Sequence, residues 1–155
     1  MKYQFTIPTL KFSVAGFFIS GFSMTGILGL QTLLQSFTQG CEVAWKLLFI
    51  LMASGSIITP FIFTCFVLKD SQSQKFSEGK IWLYNLLEYI FLQCSIGWLF
   101  SNAKTLCYVS DGQNGLQFVF TSWMGLCIQL FYSLLLDWMK NNKTLTQSVV
   151  LEQEL

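Results

Sequence analysis

From Phe12 to Leu34 the chain carries no charged side chain. A helix needs roughly 20 mostly apolar residues to cross about 30 Å of hydrocarbon, and three more such runs follow. Val43 to Leu68 holds one Lys near its start, Ile81 to about Ala103 is interrupted by Glu88, and Gln117 to Met139 carries Asp137 near its end. The fold expected from these runs is all-α: a polytopic membrane protein, a four-transmembrane-helix bundle with short loops. Composition agrees, since 53% of the 155 residues are hydrophobic and 11% charged, against about 25% charged in a soluble domain. An aromatic content of 17% excludes a disordered chain. A net charge of +1, with no Arg, offers nucleic acid no basic footprint.

The connections are short. Gln35 to Glu42 joins the first pair of spans, Lys69 to Lys80 the second, and Cys107 to Leu116 is a loop rich in turn formers, with Ser110-Asp111-Gly112 and Asn114-Gly115. Residues 1–140 therefore read as a single transmembrane domain and 141–155 as a short polar tail. The first run exceeds the apolar part of a signal peptide and is expected to remain in the protein. With an even number of spans, Lys2, Lys11, Lys69, Lys75, Lys80, Lys140 and Lys143 share one side, while Lys46 and Lys104 occupy the other. Cytoplasmic segments retain positive charge, so both termini are expected to be cytoplasmic, in a plasma or inner membrane or an internal one. Trp82 and Trp138 are expected at the inner interface and Trp45 at the outer, with Trp98 and Trp123 as packing residues. On this topology Asn142-Lys143-Thr144 is a silent glycosylation acceptor.

Chemistry has little to work with. There is no His, hence no proton shuttle of the usual kind and no imidazole metal ligand. The five Cys (Cys41, Cys65, Cys94, Cys107 and Cys127) form no C-x-x-C pair, which argues against thiol redox catalysis and a Cys-based zinc site. No phosphate-binding or nucleophile-elbow motif is present, so neither a catalytic site, a metal nor a cofactor is expected. Cys41 ends the first outer loop and Cys107 begins the second; both face an oxidising compartment on this topology, where a disulfide would tie the two hairpins together. The other three Cys read as small core residues.

Glu88 is the sharpest single feature, about 10 Å inside the third span at 1.5 Å per residue. An ionised carboxylate there costs several kcal/mol unless paired, hydrated or protonated. Asn85, Ser95 and Asn102 fall on its helical face. Such a stripe lines an ion or water path, or else bonds neighbouring helices. Ser122, Gly125, Gln129 and Ser133 mark a matching face on the fourth span, where Gln129 and Gln93 of the third can bond at equal depth or the face can receive a partner helix.

The first span repeats Gly21, Thr25 and Gly29, beside a row of Ser13, Gly16 and Ser20, with Gly26 near. Small residues so spaced let two backbones approach, within the bundle or against a second protein. In the second span Ser54-Gly55-Ser56 precedes Thr59-Pro60, and Pro60 cannot donate to the Ser56 carbonyl, so a kink is expected there. Glu42 and Lys46 stand four apart in the orientation of a local ion pair.

The function expected from these residues is non-enzymatic: helix–helix binding to another membrane protein, as an accessory or assembly subunit or an immunity-type protein. The partners are the bilayer and a membrane protein or further copies of the chain. The alternative is a small oligomeric channel or proton-coupled transporter using Glu88.

Overall fold

The structure is a computed structural model; it describes residues 3–69, 77–108 and 116–153, with side chains except at 69, 116 and 144–153. Every element among the described residues is helical: α1 (Thr6–Phe37), α2 (Cys41–Lys69), α3 (Glu78–Phe100), α4 (Ala103–Tyr108) and α5 (Leu116–Gln153). Three helices are long and apolar enough to cross a membrane, Thr6–Phe37, Cys41–Leu68 and Gln117–Lys143. The third run expected from sequence forms α3, which is not among these three, because Asn85, Glu88 and Gln93 dilute its hydropathy.

The boundaries move for identifiable reasons. α1 starts at Thr6, six residues before the uncharged run, although Phe5 at its N-cap offers no side-chain cap. The cap comes from α5: the Asp137 carboxylate accepts from the backbone N–H groups of Gln4, Phe5 and Thr6 and from Thr6 Oγ1, at 2.7–3.2 Å. A carboxylate at a helix N-terminus satisfies the free N–H groups and opposes the positive end of the dipole. Pro8 lies in this first turn, where its missing N–H costs nothing. The turn to α2 shrinks to residues 38–40. Thr38 N–H donates to Leu34 O at 3.0 Å, and Gly40 turns at a φ of +156° that other residues rarely adopt. α2 continues as helix through Pro60. α4 occupies part of the expected loop, its start capped by Asn102 Oδ1 accepting from Lys104 N–H at 3.1 Å. α5 runs unbroken into the tail, so residues 141–153 extend the last helix. The two turn motifs of the 109–115 stretch and most of the 69–80 connection lie outside the described residues.

The long helices alternate in direction, and α3 touches each of the other long ones. At one end Phe5, Val67, Ile81 and Leu136 form a small core, closed by Lys140 Nζ donating to Gln4 Oε1 at 2.9 Å and by Lys143 Nζ donating to Leu68 O. The exposed Lys11–Glu78 pair sits at the same end. At the other end Ile27, Trp45, Leu48, Phe49, Cys94 and Phe118 pack together, beside the Cys41–Cys107 disulfide, with Cα atoms 5.9 Å apart. Glu42 and Lys46 pair there at 2.7 Å. Phe12, Tyr89 and Leu126 form a middle cluster.

Close approach is made at four glycines. A Cβ on Gly97 would stand 2.3 Å from the Phe118 ring, on Gly16 2.8 Å from Leu126, on Gly55 3.0 Å from Phe91, and on Gly125 3.4 Å from Leu92. The tryptophans differ in exposure. Trp45 is 2% exposed and stacks on Phe118, whereas Trp98, expected as a packing residue, stacks on Phe49 but is 47% exposed. Cys94 is buried as expected, but Cys65 and Cys127 face outward.

Candidate functional site

Around the middle cluster the interior carries polar side chains, many of them on α3. Its buried residues recur at helical spacing: Ile81, Tyr84, Asn85, Glu88, Tyr89, Gln93 and Ile96. Its outward residues include Leu83, Leu86, Leu87 and Leu99. The helix thus turns polar groups inward and apolar ones outward, the reverse of a helix at a water-facing surface.

Several of the interior polar groups bind backbone on neighbouring helices. Asn85 Nδ2 donates to Thr9 Oγ1 of α1 at 3.1 Å. Gln129 Nε2 of α5 donates to Asn85 O at 2.7 Å, and Gln93 Nε2 donates to Phe118 O at 2.8 Å. The two amides expected to bond each other therefore do not; each reaches a carbonyl on the opposite helix, because a carbonyl keeps a free lone pair within a helix. Thr121 Oγ1 donates to Gln93 O at 3.0 Å and Tyr89 OH to Gly16 O at 3.2 Å. Tyr132 OH donates to Pro60 O at 2.7 Å, with Thr64 Oγ1 2.5 Å away.

The expected stripe along α3 is interrupted. Asn85 and Glu88 are buried; Ser95 is half-buried, 3.4 Å from Ser56 Oγ, and donates to Phe91 O at 2.6 Å. Asn102 lies beyond the end of α3, exposed, as the α4 cap. No polar line therefore runs the length of the helix, since α3 ends before the last of its fourteen-residue spacing. Glu88 is 3% exposed, and its Oε2 has no hydrogen-bond partner among the described residues. Neither ion pair, Lys11–Glu78 nor Lys46–Glu42, reaches it. Buried Tyr84 OH, Gln93 Oε1, Trp123 Nε1 and Gln129 Oε1 are unpartnered in the same way. Among the described residues no cluster of three or more His, Cys, Asp or Glu could hold a metal.

The two small-residue rows of α1 separate. Ser13, Gly16 and Ser20 are buried, with Gly16 against Leu126 of α5. Gly21, Thr25 and Gly29 are exposed, and Gly21, Gly26 and Gly29 have nothing within 4 Å of a built Cβ. On α5, Ser122, Gly125, Gln129 and Ser133 are buried, and Gly125 meets Leu92, so α3 already covers the face expected to be able to receive a partner.

Sequence reasoning passed over Asp137 as a boundary charge, and it passed over Thr9, Tyr84, Thr121 and Tyr132 altogether. The only sequence signal for Tyr84 and Thr121 was spacing, one turn before Glu88 and two turns before Gln129 respectively. Compared with protein-family models, curated proteins and solved structures, the chain matches none of them.

Proposed function

We propose that the chain is a non-enzymatic integral membrane protein of four spans, with both termini cytoplasmic, that binds another membrane protein through the outward face of α1. Counting α3 as a span is supported by its leucines facing outward and its Asn, Glu and Gln facing neighbouring helices, the arrangement hydrocarbon favours. The excess of lysines in the segments on one side (Lys2, Lys11, Lys69, Lys75, Lys80, Lys140 and Lys143) over Lys46 and Lys104 on the other supports the orientation.

One contrast carries the binding proposal. Gly16, Gly55, Gly97 and Gly125 admit a neighbouring side chain, while Gly21, Thr25 and Gly29 stand one turn apart with open space before them. Where lipid tails are as apolar as the helices, close packing at small residues supplies the attraction. An accessory or assembly subunit, or an immunity-type protein blocking a pore-forming partner, works in this way. Gly21→Leu combined with Gly29→Leu fills only open space, so the fold persists and co-purification of a partner in mild detergent is lost. A solitary wild-type monomer, or wild-type co-purification by the variant, overturns the proposal.

A second reading rests on the unpartnered Glu88 Oε2. An ionisable group buried among spans is the usual mark of a proton or ion path, and it fits a small oligomeric channel or proton-coupled transporter. Liposomes holding wild type then show a proton flux that Glu88→Gln lacks. Equal flux in both, or none in either, removes this reading.

A further inference from the structure

Among α1, α2, α3 and α5 lies a small void lined by Thr9, Tyr84, Asn85, Gln129, Tyr132 and Ser133, with apolar side chains, Phe63 of α2 among them, closing the rest. It leaves about 10 Å³ for the centre of a water-sized sphere, the scale of a single occupied water site. Two of its lining residues carry atoms without a well-formed hydrogen bond among the described residues: Gln129 Oε1, in a residue 2% exposed, and the Tyr84 hydroxyl, in a residue 9% exposed, which lies beside the Tyr132 hydroxyl. The remaining polar groups are engaged. Thr9 and Asn85 bond each other, Gln129 Nε2 is held by Asn85 O, Tyr132 OH donates to Pro60 O, and Ser133 Oγ donates to Leu130 O at 2.8 Å.

We infer that this void is a binding site for one water molecule, accepting from Tyr84 OH and donating to Gln129 Oε1. The chemistry selects water over other small occupants. Tyr84 has a hydrogen to give and Gln129 Oε1 a lone pair to offer, so the occupant must both accept and donate. A monovalent cation can use the amide oxygen but cannot accept the tyrosine proton. An apolar occupant leaves Gln129 Oε1 unmet, a cost of about 1–3 kcal/mol in a buried setting. The second water hydrogen has the free lone pairs of Ser133 Oγ within the same lining. Glu88 stands one turn beyond Tyr84 on the same face of α3, so the site brings water to the neighbourhood of the buried carboxyl. The inference stands independently of partner binding by α1.

The test is water–protein cross-relaxation by NMR on the full-length chain, perdeuterated except at exchangeable sites, in detergent micelles. Cross-peaks from long-lived water to the Gln129 side-chain amide and the Ser133 backbone N–H are expected in wild type. Ser133→Val fills the void with methyl groups and abolishes them. Tyr84→Phe removes one hydroxyl without changing the ring, and it weakens or abolishes the same peaks. Absence of these peaks in wild type overturns the site. So does their persistence, unchanged, in folded Ser133→Val or in Tyr84→Phe.

Discussion

Gly97 and Gly21 both lie inside long helices, yet a methyl group at each meets opposite surroundings. At Gly97 it would stand 2.3 Å from the Phe118 ring, which is itself stacked on Trp45 and has no room to retreat; at Gly21 it meets nothing within 4 Å. Gly97→Ala is therefore expected to destabilise by about 1–3 kcal/mol through overpacking. Gly21→Ala should stay within about 0.5 kcal/mol of wild type. Thermal unfolding in one detergent compares the two directly. Asp137 is the other residue whose role is decided locally. Its carboxylate meets three backbone N–H groups and a hydroxyl at the start of α1, so Asp137→Ala should cost about 2 kcal/mol. The loss should appear first as faster amide hydrogen exchange at residues 4–7 and 9, with the middle of α1 unaffected.

At the scale of elements, the covalent link between Cys41 and Cys107 decides how the α4 region is held. It joins the start of α2 to α4 across 66 residues of sequence, a loop long enough for a crosslink to restrict the unfolded chain substantially. Replacing both cysteines by Ser is expected to remove about 2–4 kcal/mol. A reductant should lower the wild-type unfolding midpoint and leave the double variant unchanged. Helix ends also show what the sequence could and could not reveal. Four helical stretches are legible from apolar run length, because length and composition suffice for that. The early start of α1 was not legible, since its cap lies on α5, more than a hundred residues away. The short α4 was hidden because its Asn102 cap also fits a polar stripe on α3.

For the whole molecule, the arrangement of charge makes a prediction of its own. Lys11 and Lys140 should react with a membrane-impermeant amine reagent from the cytoplasmic side only, and Lys46 and Lys104 from the opposite side only. Labelling of both groups from one side would exclude the proposed orientation. Within the bundle, the polar layer was half legible: Asn85, Glu88, Gln93 and Gln129 stood out because polar residues in apolar runs are expensive. Their partners were not, because most are backbone carbonyls, which every residue supplies and no sequence pattern marks.

The sequence by itself determined that the chain is helical, that its long apolar stretches suit a bilayer, and that its lysines divide between two ends. These follow from run length and charge, which are local. Only the tertiary structure decided which faces turn inward: Gly16 against Leu126 but Gly21 into open space, Trp45 into the core but Trp98 out of it. The physical reason is that a span meets apolar surroundings on both sides, side chains within and lipid without. Hydropathy then carries almost no directional signal, and small residues carry none, so the choice between the two α1 rows rests on packing against α5.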